Sequence, residues 1–137
     1  MNLYKKLLLL PLLTISLYAN YWDDYNLFAK YMGYETDYNK AINIAKKEHK
    51  DLLIVLVSDG CPYCHRLVDT ILTKKEIREY INKKYIKLII NKDTNKNYPK
   101  RLSRPFEPVT YIIDPSSGQI IDEIDGWQEE ESYLWHL

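Results

Sequence analysis

The sequence predicts one α/β domain with helices on both sides of a mixed β-sheet, and three observations carry the prediction. The run at 52–57, Leu-Leu-Ile-Val-Leu-Val, is short enough for a strand and unbroken enough to be buried on both faces. A helical stretch then leads to a second strand-like run at 85–90. A strand, helix, strand order with that crossover length implies right-handed parallel pairing. Farther on, two strand-like runs at 109–113 and 119–124 flank Asp114, Pro115, Ser116, Ser117 and Gly118, a turn composition that makes an antiparallel hairpin.

Taken in order, the stretch 21–34 is aromatic and irregular, with Trp22, Tyr25, Phe28 and Tyr31, and is expected to lie over the domain as a lid. Thr36 or Asp37 caps a helix whose apolar stripe is Ala41, Ile42, Ile44 and Ala45 and whose closing turns hold Lys46, Lys47 and Lys50. Ser58, Asp59 and Gly60 end the first strand. Pro62 suits the first turn of a new helix, where its missing amide had no partner anyway, so Cys61 caps that helix. The helix runs toward Leu72. Thr73 and Glu76 read as a capping box that starts a second segment carrying Ile77, Tyr80 and Ile81 on one side, so the crossover is kinked. Between 91 and 107 the chain is polar and basic, and Tyr98, Leu102 and Phe106 suggest a short helix. Gly126 breaks the last strand, and 128–137 forms a short helix with Tyr133, Leu134 and Leu137 inward.

The 137 residues suit a single core. With 19 basic and 19 acidic residues the chain has no net field to gather phosphates, which argues against nucleic acid as a partner. Lys5 and Lys6 precede an apolar run at 7–17 that ends at Tyr18, Ala19 and Asn20. The run is too short to span a bilayer, and Ala19 sits where a signal peptidase cuts. Residues 1–19 therefore read as a signal peptide and 20–137 as the exported, periplasmic domain. Leu17 is large for its place before the cut, so an uncleaved anchor is the alternative and would be the chain's only membrane contact.

Two cysteines in an exported protein ordinarily mean a structural disulfide. Across Cys61-Pro62-Tyr63-Cys64 a bridge closes so short a loop that it constrains little of the unfolded chain, so chemistry explains the pair better. At a helix N-terminus, free backbone amides and the helix dipole stabilise a thiolate, the attacking form in disulfide exchange. Cys61 is accordingly the nucleophile. Cys64, one turn later and deeper, resolves the mixed disulfide.

These residues resemble the thioredoxin superfamily, and more narrowly its exported members with an extra N-terminal helix before the first strand. The matching pieces are the helix at 39–50, the strand at 52–57, the motif Cys61-Pro62-Tyr63-Cys64, the segment 73–90 and the hairpin that begins Pro108-Val109-Thr110. The resemblance implies the thioredoxin fold, a protein-disulfide oxidoreductase activity, and no cofactor or metal beyond the redox-active pair. It also implies a cis proline facing the cysteines at Pro108, with Pro105 as the competing position. Pro62, Tyr63, Glu107 and Pro108 would then meet the substrate, Glu107 by offering its backbone to an extended strand. The implied partners are exported protein thiols and disulfides and a membrane electron carrier.

The sequence departs from the family at two places. Gly60 replaces the aromatic residue that commonly precedes the first cysteine, and the buried acid expected near Val55 is absent. Glu107 and Asp59, if near the cysteines, disfavour the thiolate and make the pair a reductant. Cys61-Pro62-Tyr63-Cys64-His65 also reads as a c-type haem attachment motif. No methionine follows it to serve as second axial ligand, and strands on either side suit a redox α/β domain better than a small helical cytochrome. A third alternative is a non-catalytic module that uses the groove beside Pro108 to dock peptides. His65 is expected on the helix surface, and the tryptophans are expected to pack.

Overall fold

The computed structural model describes Trp22 and residues 24–137; the expected signal peptide lies outside the described residues. Helices α1 (Tyr25–Met32) and α2 (Tyr38–Glu48) precede strand β1 (Asp51–Val57). Helix α3 (Pro62–Leu67) continues through a widened π-helical turn at Val68–Leu72 and is followed by α4 (Lys75–Lys84) and β2 (Tyr85–Asn91). A single 3-10 turn at Lys100–Leu102 leads to β3 (Val109–Ile113), β4 (Ile120–Asp125) and α5 (Glu130–His136).

The stretch expected as an irregular lid is helix α1. Asp24 caps it by accepting from the backbone N–H groups of Asn26 and Leu27, and Gly33 ends it in the left-handed conformation. Between these caps, Tyr25, Phe28 and Ala29 fall at helical spacing and are buried. A second correction concerns the start of α4. The Thr73 hydroxyl donates back to the Asp69 carbonyl at 2.7 Å, and Lys74, not Thr73, takes the cap position without a side-chain bond. The widened turn reabsorbs Thr73 into the preceding helix, so no capping box forms. The remaining expected elements are present within one or two residues of their ends, and Asp37 is the cap of α2.

Among the described residues the sheet has four strands in the order β2-β1-β3-β4. β1 pairs parallel with β2 and antiparallel with β3, and β4 completes the hairpin. Because side chains alternate across a strand, the continuous apolar run of β1 supplies both faces. Leu53, Val55 and Val57 join Phe28, Leu67, Ile77, Ile81 and Tyr133 under α1, α3, α4 and α5. Leu52, Ile54 and Leu56 join Tyr38, Ala41, Ala45 and Tyr111 under α2. Each fully buried aliphatic side chain contributes about 1.5–3 kcal/mol relative to exposure, which explains why β1, whose Leu52 to Val57 are all buried, is the centre of the sheet. The outer edge of β2 is covered in turn: Glu35 bonds to it through the Lys87 carbonyl and the Ile89 N–H.

Candidate active site

β1 ends at the loop Ser58-Asp59-Gly60, which turns the chain into α3. Gly60 has φ +63 with open space where a Cβ would stand, so backbone conformation, not crowding, selects glycine there. Cys61 follows as the N-cap of α3 and Pro62 opens the helix. Cys61 and Cys64 are joined by a disulfide, with their Cα atoms 5.2 Å apart. Cys61 is partly exposed, whereas Cys64 is completely buried in the core under α3. The Cys64 backbone N–H donates to the Cys61 Sγ at 3.2 Å. A thiolate at Cys61 inherits that bond and the positive end of the helix.

On the other side of Cys61 lies the segment before β3. Its sulfur is 3.6 Å from the Glu107 carbonyl oxygen. Among the described residues it is the Glu107–Pro108 peptide bond that is cis, so Pro108, and not Pro105, occupies the position the resemblance implied. The Pro108 carbonyl is held by the Gly126 N–H at 2.8 Å, which ties this segment to the end of β4. Of the four residues expected to meet a substrate, Pro62 and Tyr63 are exposed, Tyr63 at 59%, and Glu107 brings its backbone to the sulfur while Pro108 stands beside it buried.

The Glu107 carboxylate is not a bare charge. It is ion-paired with Lys92, and the Ser58 hydroxyl donates to it at 3.3 Å, with the glutamate side chain only 9% exposed. Asp59 and Asp93, by contrast, are both exposed and adjacent: the Asp59 N–H donates to the Asp93 carboxylate at 2.7 Å, and Asp59 itself accepts from the Asn91 amide at 2.8 Å. At the position where a buried acid was expected, β1 places the fully buried apolar side chain of Val55.

Several contributors have no local sequence signal. Lys92 belongs to a basic stretch that reads as a solvated face, yet it pairs with Glu107, and Arg104 of the same stretch grips Glu123 with two nitrogens at 3.2 and 3.0 Å. His65 is not simply on the surface: it is half-buried, and its ring stacks on Tyr25 of α1, with centroids 5.3 Å apart and planes within 11°. Trp127, just past the end of β4, lies under the Arg66 guanidinium at 3.7 Å and donates to Thr70 at 3.2 Å. Trp135, expected to pack, is 86% exposed.

The Thioredoxin-like domain family matches residues 38–137. The chain belongs to that family. Among solved structures, this thioredoxin-like chain is similar to a thioredoxin from Thermus thermophilus, at 17% identity and a TM-score of 0.66, over 74% of this chain and 82% of that one. It is similar to the oxidised C-terminal domain of DsbD from Neisseria meningitidis, at 16% identity and a TM-score of 0.60, over 74% and 94%. A DsbH oxidoreductase matches at 16% identity and a TM-score of 0.54, over 74% and 78%. At these identities the likeness is one of fold. No curated protein matches the chain.

The thioredoxin-like assignment places α2, the cysteine motif and the hairpin inside the family match and leaves α1 outside it. It is the thiol–disulfide oxidoreductase fold with its Cys-x-x-Cys pair in place. The geometry supports one chemistry directly: an accessible sulfur, preorganised for attack, bonded to a buried sulfur that can close the ring again and release whatever the first one has captured.

Proposed function

We propose that this chain is a periplasmic thiol:disulfide oxidoreductase that reduces disulfides of exported proteins. The observation that carries the reading is the asymmetry of the pair: Cys61 partly exposed at a helix N-terminus, Cys64 fully buried and one turn away. In the reducing direction the Cys61 thiolate attacks a partner's disulfide, one partner sulfur leaves as a thiol, and Cys64 then displaces the second partner thiol while the Cys61–Cys64 bond forms. Two electrons pass to the partner, and a membrane carrier supplies two more to reduce the Cys61–Cys64 bond again. Tyr63 and the backbone of Glu107 flank the attacking sulfur and receive the partner's chain as an added strand edge.

The direction is supported by the negative charge of Asp59, two residues before Cys61, and of Asp93, which bonds the Asp59 N–H; a negative field there disfavours the thiolate and hence favours the closed disulfide. Glu107 adds less to that field than its sequence position suggests, because Lys92 neutralises it. Export is supported by the lysines and apolar run ahead of Ala19. The haem reading is disfavoured by the burial of Cys64 and by the tyrosine ring lying flat on His65, since one macrocycle must reach both sulfurs and the imidazole.

The test is turnover of a protein disulfide by the mature chain under a thiol reductant. The wild-type chain accelerates reduction and Cys61→Ser does not. Full activity in Cys61→Ser removes Cys61 as the attacking thiol, and a wild-type chain that gives no acceleration removes the enzymatic reading and leaves a peptide-docking module in its place.

A further inference from the structure

The cysteine motif is braced at both ends by one residue from a helix that the family match does not include. Tyr25, 5% exposed, donates its hydroxyl to the Ser58 carbonyl at 3.1 Å, three residues before Cys61. The same ring stacks on His65, one residue after Cys64. Ser58 in turn donates to the Glu107 carboxylate, whose carbonyl meets the Cys61 sulfur. A single aromatic side chain thus spans the eight-residue segment holding both cysteines and connects, through Ser58, to the segment before β3.

We infer that Tyr25 is a positioning residue for the redox pair: α1 is present to brace Ser58 and His65, and so to hold Cys61 against the Cys64 amide. The inference rests on the reading of Cys61 as the attacking thiol. Its physical basis is preorganisation. The bond from the Cys64 N–H to the Cys61 sulfur favours the thiolate only while the loop and the first turn of α3 keep their relative places. Releasing either end lets the sulfur drift off the helix axis, where dipole and amide act on it less. Burial of Tyr25 alone explains stability, but not the choice of a hydroxyl-bearing ring aimed at the one carbonyl that begins the turn.

The experiment compares the reduced wild-type chain with Tyr25→Phe, Tyr25→Leu and Phe28→Leu. Phe28 is a fully buried neighbour on the same helix whose ring pairs with Trp22 and Tyr34 and which has no hydroxyl to bond the loop, so Phe28→Leu loosens the packing of α1 while leaving the bond to Ser58 and the stack on His65 in place. The readout is the rate of Cys61 alkylation by iodoacetamide at one neutral pH, which follows the thiolate, with thermal melts alongside. Tyr25→Phe, which loses the hydroxyl bond and keeps the stack, is expected to slow alkylation roughly three- to tenfold, the equivalent of one lost hydrogen bond, with Tyr25→Leu, which loses both, slower still and Phe28→Leu at the wild-type rate despite its lower melting temperature. Equal slowing in Tyr25→Leu and Phe28→Leu, or none in either Tyr25 variant, overturns the inference. A wild-type rate no faster than that of the same chain in denaturant would instead defeat the assignment of Cys61 as the activated thiol, so the two failures are distinguishable.

Discussion

Under α2, one face of the sheet packs Leu52, Ile54, Leu56 and Tyr111 against Ala41 and Ala45. Under α1 and α3, the other face buries Leu53, Val55 and Val57 in one core that also holds Phe28, Leu67 and Cys64. Both cores are built mainly of aliphatic and aromatic side chains. Only the second has a core member that changes covalent state, because Cys64 sits there as an integral part of the packing. One face therefore sets stability alone, whereas the other sets stability and the geometry of the reacting sulfur together.

The largest effect follows from Cys64 itself. Cys64→Ser leaves Cys61 able to attack but removes the thiol that expels the partner, so turnover is lost and mixed disulfides accumulate, to be counted by mass spectrometry of non-reduced samples. If the variant turns over at the wild-type rate, release is not the task of the buried sulfur and the two faces do not differ as argued.

A matched pair sharpens the comparison. Leu52 and Leu67 are both fully buried, one on each face, and truncating either to alanine costs about 2–5 kcal/mol in denaturant unfolding. Leu67→Ala, on the helix that bears the cysteines, is expected also to shift the equilibrium of the pair with glutathione, whereas Leu52→Ala leaves that equilibrium unchanged. Equal shifts in both would mean that the faces are not separable.

The smallest effect lies at the rim of the same redox-bearing face, where α5 is latched to β4 by Asp122 and His136 at 3.0 Å. Burial pushes the Asp122 carboxyl up, but the His136 hydrogen bond and the Glu123 N–H pull it down further, so it titrates below the ordinary carboxylate value. A depressed folded value means that the contribution is complete above the unfolded pKa of about 3.9 and is lost as the pH falls through the folded one. Asp122→Asn should therefore flatten the acid limb of the stability curve below about pH 4, and only slightly, since the aspartate side chain is 40% exposed and screened. The redox equilibrium should not move at neutral pH.

Much of this was legible in the sequence, and for physical reasons. A run such as 52–57 with no polar break has no solvated face to offer, so it had to be the middle strand; and Cys61 before Pro62 names a helix cap because only the first turn tolerates proline without loss. What escaped detection depended on distance or on competition. Helix α1 has its signals in Asp24 and Gly33, but the aromatic crowding of Trp22, Tyr25, Phe28 and Tyr31 hides a three-residue helical stripe. Thr73 and Glu76 have the spacing of a capping box, and the widened turn at Val68–Leu72 wins because it closes Thr73 onto Asp69. The pairing of Lys92 with Glu107 and the stack of Tyr25 on His65 join residues far apart in the chain, and no local pattern encodes them.

The most direct measurement is a redox titration of Cys61 and Cys64 in glutathione buffers, read by trapping the free thiols with a mass-shifting reagent. Exchange at this site requires a single two-electron transition between dithiol and closed disulfide, and the reducing role places its midpoint close to the thioredoxin value of about −270 mV. A midpoint about 100 mV or more higher would make the protein an oxidant. A pair that stays in one state across the whole range would contradict the account altogether.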